Sequence, residues 1–198
     1  MPENHFGVNF KGAVTWAFEF ENQPWFNGYR DLATNGVDKP VLNVFRMFGM
    51  MSGNRVEVSG NLAYDYISIR DSSVRGERTD VNALAAIDSN CATIMVWNYH
   101  DLNVTGQISP VEIKLSGIPA KKAELCHYRI DQTHSNSYEV WKQMGSPQNP
   151  TSEQHSKLEE AGKLMILHKP ERIKIKNGES AIRTELPRQG VSLLKLTW

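Results

Sequence analysis

The sequence predicts a mainly β protein: a β-sandwich with a short helical excursion, preceded by a single β/α unit. Three observations carry this. Beyond Gly53 the chain breaks into short alternating segments punctuated by Gly, Pro and Asn, the pattern of a sandwich built from hairpins. From Thr133 to about Leu167 the spacing of apolar residues turns helical. The first fifty residues give one strand, one long loop and one helix, and a lone β/α unit cannot bury its own faces.

The opening strand is "GAVTWAFEF". Trp16, Phe18 and Phe20 alternate with Thr15, Ala17 and Glu19, so both faces are apolar until the acidic end, as in a strand covered on both sides. The loop "NQPWFNGYRDLATNGVDK" follows, with Pro24, Gly28 and Asn35-Gly36 as turn signals. In "DKPVLNVFRMFGMM", Pro40 suits a first helical turn. Val41, Val44, Phe45 and Phe48 then fall at helical spacing, and Leu42 with Met47 widens the apolar stripe.

The sandwich strands are expected at "RVEVSG", "YDYISIR", "NALAAID", "CATIMVWNY", "PVEIKLSG", "KAELCHYRID", "RIKIKNG", "SAIRTELP" and "VSLLKLTW". Within the excursion, "SYEVWKQMG" and "TSEQHSKLEEAGKLMIL" read as helices, and Thr151 with Gln154 fits a capping box. The expected domain division is 1–53 and 54–198.

The 198 residues balance 22 Lys and Arg against 22 Asp and Glu. A nucleic-acid partner would call for a basic excess, so that class is set aside. No apolar run reaches the roughly 18 residues of a spanning helix, and no membrane partner is expected. The segment "MPENHFGVNF" lacks the regions of a signal peptide. The chain reads as truncated at this end, which leaves the parent's compartment open, with the cytoplasm favoured. Cys91 and Cys126 are expected as buried free thiols.

Three groups of residues could carry chemistry. Glu19 and Glu21 lie two apart on a strand, so their carboxylates share a face about 7 Å apart. That falls within the range of about 6.5–9.5 Å for the carboxyl pair of an inverting glycosidase. Such a pair must flank the scissile bond, whereas neighbours on one strand approach from one side, so hydrogen bonding to sugar hydroxyls suits them better. Trp16, Trp25 and Phe26 supply aromatic faces for the C–H faces of sugar rings, although a Trp in a strand also serves as core. The third group is "HYRIDQTHSNSYEVW". Asp131, Thr133, Ser135 and Asn136 there are turn and cap formers, and an ordered connection is the expected role. His127 and His134 have no third ligand at a metal-site spacing, so neither metal nor other cofactor is expected.

Several long blocks resemble the C-terminal part of glycoside hydrolase family 39: residues 12–51, then "VWNYHD", "HYRIDQTHSNSYEVWKQMGSP" and "LPRQGVSLLKLTW". The look is nearest to the bacterial β-xylosidases, and α-L-iduronidase is a more distant relative. The resemblance implies a retaining, exo-acting hydrolase of xylosides or xylo-oligosaccharides, built as a (β/α)8 barrel followed by a sandwich. "GAVTWAFEF" is then the eighth barrel strand, and "PVLNVFRMFGMM" the eighth helix. The family's acid/base and nucleophile glutamates end the fourth and seventh strands, so no residue here inherits a catalytic role. Trp16 matches the tryptophan that floors the sugar site, while Glu19 and Glu21 fall where sugar contacts are made; Trp25 stays a sugar-binding candidate for its aromatic face. Two other readings stay open: a stand-alone carbohydrate-binding or structural sandwich, and an α-L-iduronidase-like hydrolase with Arg30 as the cation for a uronate.

Overall fold

The computed structural model describes residues 23–28 and 31–198. A small hairpin comes first, β1 (Ala33–Thr34) and β2 (Val37–Asp38). Its two-residue turn is Asn35-Gly36, both at positive φ (46° and 82°), the geometry in which Asn-Gly matches strand twist. Helix α1 (Pro40–Gly49) follows with Pro at its start. Then come β3 (Asn54–Val56), α2 (Tyr66–Ser72), β4 (Asp80–Ile87), β5 (Cys91–Tyr99), β6 (Ser109–Leu115) and β7 (Lys122–Ile130). The excursion holds α3 (Ser137–Gln143) and α4 (Ser152–Gly162), and β8 (Met165–Ile166), β9 (Glu171–Lys174), β10 (Ser180–Leu186) and β11 (Val191–Thr197) complete the order.

The layers are unequal. One antiparallel sheet runs β3-β4-β5-β11-β7-β8, with β9 also pairing to β7, and a two-stranded ribbon of β6 and β10 lies across it. Period-two alternation sorts the side chains. Val81, Ala85, Ile94, Val96, Leu125, Leu194 and Leu196 meet Val111, Ile113, Ile182 and Leu186 of the ribbon. On the opposite face Met95, Leu193 and Ile130 pack with Met47 of α1 and with Leu164. Central strand β11 is flanked by β5 and β7, and Leu193, Leu194 and Leu196 are fully buried.

Four sequence expectations are corrected. "YDYISIR" is helix α2, not a strand. Asp65 caps it, its carboxylate accepting from both the backbone N–H and the hydroxyl of Ser68 (2.9 and 2.6 Å). Tyr66, Ile67 and Ile69 mimic strand alternation but lie on an exposed helix. The expected helix over 151–167 has its capping box at Thr151 and Gln154 but stops at Gly162, and Met165–Ile166 joins the sheet beside β7. In α1 the fully buried residues are Asn43 and Met47, whereas Val41, Phe45 and Phe48 stand 40–47% exposed. The thiols of Cys91 and Cys126 are free, but half-buried rather than buried.

Asn43 turns inward because three hydrogen bonds await it. Its amide N–H groups donate to the carbonyls of Gly162 (2.7 Å) and Ser135 (3.3 Å), and its Oδ1 accepts from Arg46 (2.8 Å). Arg46 in turn pairs with Asp38 at 2.7 Å. Gly162 is required at its position, since a Cβ there would sit 2.8 Å from the Asp38 carbonyl oxygen. The buried Ser135 hydroxyl donates to the Arg129 carbonyl (2.7 Å) and accepts from the Met165 N–H (2.8 Å). The stretch 131–136 is thus the ordered connection its residue types suggest. Asn136 caps α3 through the Glu139 N–H, and the Asp131 carboxylate accepts from Thr133 and His134.

Arg129 joins the two layers. Its guanidinium donates to Ser192 Oγ (2.9 Å), Asp131 Oδ2 (3.3 Å), Thr184 Oγ1 (3.1 Å) and the Glu185 carbonyl (2.8 Å), linking β7, β11, β10 and the turn. His127 Nε2 lies 2.9 Å from the same Ser192 hydroxyl. Burial, with the Arg129 cation adding to it, pushes the His127 imidazole down to about 4. Burial alone would raise the Asp131 carboxyl, but hydrogen bonds from His134 and Thr133 hold it below the usual range.

Three outcomes are expected. Leu194→Ala should cost about 2–5 kcal/mol, as buried Leu truncations do, read as a lower urea midpoint; an unchanged midpoint would contradict the packing described. Asn43→Leu should cost about 1–3 kcal/mol by leaving two buried carbonyls without donors, and stability equal to wild type would reject that role. Between the unfolded value of 6.5 and the folded value of about 4, the unfolded chain holds a proton on His127 that the folded chain lacks. Stability should therefore be full above 6.5 and fall by on the order of 3 kcal/mol as pH drops through this window. Urea titrations at several pH values should show that loss reduced in His127→Gln; equal losses in both proteins would exclude His127 as its source.

Candidate functional site

Of the four residues expected to bind sugar, Trp16, Glu19 and Glu21 lie outside the described residues. Trp25 lies within them, on the turn before β1. Its backbone N–H donates to Gln148 Oε1 at 2.9 Å, and the N–H of Phe26 donates to Thr34 Oγ1 at 3.0 Å. Phe26 has φ 55°, which is strained for an aromatic residue. The first bond fixes the turn against the excursion, 123 residues further along the chain, and the second ties it to β1.

There the two rings join an aromatic cluster the sequence reading did not assemble. Trp25 meets His155 of α4 edge-on at 5.6 Å and Phe26 at 6.3 Å. Phe26 lies 5.0 Å from Trp141 and 5.5 Å from Tyr138, and those two stack at 5.8 Å with planes 27° apart. Tyr138 and Trp141 are three apart on α3, hence on one face; that spacing within "SYEVW" was the signal available. The Trp141 indole N–H donates to the Pro147 carbonyl (2.9 Å), and Lys142 Nζ sits 4.8 Å over the Tyr138 ring. Trp25 and Phe26 are half-buried and Tyr138 is 39% exposed. The cluster therefore offers a partly open aromatic surface, able to stack on the C–H face of a sugar.

Behind this loop the polar groups are structural. Lys39 donates to the carbonyls of Asn27 and Gly28, both at 3.1 Å, and lies 3.9 Å from the buried Asp31 carboxylate. Ser137 donates to the Asp38 carbonyl, tying α3 to β2. Among the described residues, no group of three or more His, Cys, Asp or Glu side chains is placed to share a metal ion. None of the described helices is long and apolar enough to cross a membrane.

A cleft of about 950 Å³ opens between β7 and the β6/β10 ribbon. It exists because two ribbon strands cannot cover a seven-stranded sheet. His127, Arg129 and Thr184 line it with Leu125 and Ile182, residues from two layers whose meeting depends on register alone.

Comparison with known proteins places the chain. The family model described as glycosyl hydrolases family 39 matches residues 10–175. A β-xylosidase of Caldicellulosiruptor saccharolyticus is 23% identical over 145 residues, covering 71% of this chain and 26% of that protein. Among solved structures, the family 39 enzyme of Xanthomonas axonopodis pv. citri superposes with a TM-score of 0.67 at 16% identity, over 84% of this chain and 32% of its own. A monomeric β-xylosidase of Caulobacter crescentus gives 0.64 at 18% identity, over 85% and 32%. A bacterial orthologue of human α-L-iduronidase gives 0.62 at 16% identity, over 81% and 27%. The chain thus spans about a quarter to a third of the length of these relatives, whose likeness at such identity establishes the shared β-sandwich fold. With the family model matched over most of its residues, the chain belongs to glycosyl hydrolase family 39.

Proposed function

We propose that this chain is the C-terminal portion of a retaining, exo-acting β-xylosidase, whose acid/base and nucleophile glutamates lie outside it. The observation that carries the reading is the family match over residues 10–175, joined to the likeness to a β-xylosidase. In this reading residues 1–53 belong to the barrel and 54–198 to the sandwich. The 40–47% exposed Val41, Phe45 and Phe48 of α1 are then the face that packs against the rest of the barrel.

Trp25 borders the sugar site in this scheme, with Trp16 as its floor and Glu19 and Glu21 holding hydroxyls. Support for Trp25 comes from its setting. The Gln148 bond and the Phe26, Tyr138 and Trp141 rings hold it in place, so a sugar stacking there would meet a pre-ordered surface, at little entropic cost. The reaction expected of the intact enzyme passes through a covalent glycosyl-enzyme intermediate, with the acid glutamate protonating the leaving oxygen and then activating water.

Two measurements test this. The purified 198-residue chain should release no nitrophenol from an aryl β-xyloside above the buffer rate, and release above it would overturn the assignment of catalysis elsewhere. In the intact hydrolase that carries this chain, Trp25→Ala should raise KM about fivefold with kcat within about twofold, the signature of lost ground-state stacking. A fall in kcat at unchanged KM would reject a binding role for Trp25.

A further inference from the structure

The cleft between β7 and the ribbon is lined by hydrogen-bond donors whose capacity the fold does not fully use. Ser192 Oγ accepts from Arg129 Nε at 2.9 Å, so its own proton must go elsewhere. The acceptor within reach is His127 Nε2, also at 2.9 Å. With the Ser192 proton directed there, the neutral imidazole carries its own proton on Nδ1. Nδ1 has no partner among the described residues, although His127 is 93% buried (7% exposed) and lines the cleft. Arg129, 3% exposed, spends four of its five N–H groups on Ser192, Asp131, Thr184 and Glu185. One Nη1 N–H remains. Two donors thus stand two residues apart on the cleft-lining face of β7.

The surroundings define what they would meet. Arg129 is paired with Asp131, and Arg183 with Glu112 at 2.8 Å. Lys169 stands among the lining residues with Glu171 and Glu185. With its charges nearly cancelled, the cleft gives no net pull to an ion. Its walls at Leu125, Val111 and Ile182 are aliphatic. A volume of about 950 Å³ lies within the range of small-molecule sites. The fitting ligand is neutral, accepts hydrogen bonds through clustered oxygens, and carries C–H surface for the walls.

We propose that this cleft is a second saccharide-binding site, separate from the Trp25 cluster, in which a neutral pyranose accepts hydrogen bonds from His127 Nδ1–H and Arg129. It goes beyond the hydrolase reading and does not depend on it, since the site is built wholly from sandwich residues. Its use would be to hold one saccharide while another is processed.

The test is a nuclear magnetic resonance titration of the 198-residue chain with xylose, xylotriose and cellotriose up to about 50 mM, a range that reaches binding as weak as a Kd of about 1 mM. The ring resonances of His127 and the amides of Thr184 and Gln132 report on the cleft; the indole resonances of Trp25 and Trp141 report on the aromatic cluster. The proposal expects saturable shifts at His127 and Thr184 with at least one of these sugars. Binding there should weaken at least about tenfold in His127→Gln and persist in Trp25→Ala. If His127→Gln does not fold, the location of the wild-type shifts decides alone. No shift at the His127 ring, shifts confined to Trp25 and Trp141, or binding of inorganic phosphate in place of sugar would each overturn it.

Discussion

The buried amide of Asn43 is the constraint on which the arrangement depends. It reaches from α1 to the carbonyls of Gly162 and Ser135, and so fixes α1 against the excursion. Because Ser135 bonds to the Arg129 carbonyl, the same contact is carried into the sheet through β7. Buried backbone carbonyls must find donors, and an amide offering two from one side chain satisfies both at once. The distance from Trp25 to Tyr138 and Trp141 across sequence is thereby closed by polar contacts as much as by ring packing. The aromatic loop around Trp25 and Phe26 is thus braced by the helices of the excursion.

The sheet illustrates how cover on two faces is shared. One face meets the ribbon and the other meets α1, and strands β5 and β11 accordingly read as nearly continuous apolar runs. The ribbon leaves the β7 end of its face open, and the chain fills that corner with Arg129, His127 and Ser192 instead of hydrocarbon. A buried charge must be paired and hydrogen-bonded to persist, and Arg129 is both. The cleft above it therefore follows directly from the mismatch between two strands and seven.

Most of the strands were legible in the sequence, because period-two patterning between Gly, Pro and Asn turns is a local signal. The capping box at Thr151 and Gln154 was legible for the same reason. "YDYISIR" misled because the Asp65 cap competes with an alternation that also suits a strand. Leu164 to Ile166 misled because apolar spacing cannot tell the last turn of a helix from an edge strand. The buried face of α1 was hidden by Asn43, a polar residue that polarity alone places outside. At the candidate site, Trp25 was visible by type, but its partners Tyr138, Trp141 and His155 were not. No local pattern records contacts across more than a hundred residues, and His127 and Arg129 became neighbours of Thr184 only through sheet register.

The place of β11 has a consequence for how the fold comes into being. It is the last of the described strands in chain order, yet it lies between β5 and β7, pairing Met95 with Leu193 about a hundred residues away. While a ribosome is still making the segments before it, the sheet exists only as two halves, each with a bare hydrogen-bonding edge and uncovered leucine-lined hollows. Such non-local closure is slow and leaves sticky edges waiting. The two halves can join only once Val191 to Thr197 have been made and can pair with both.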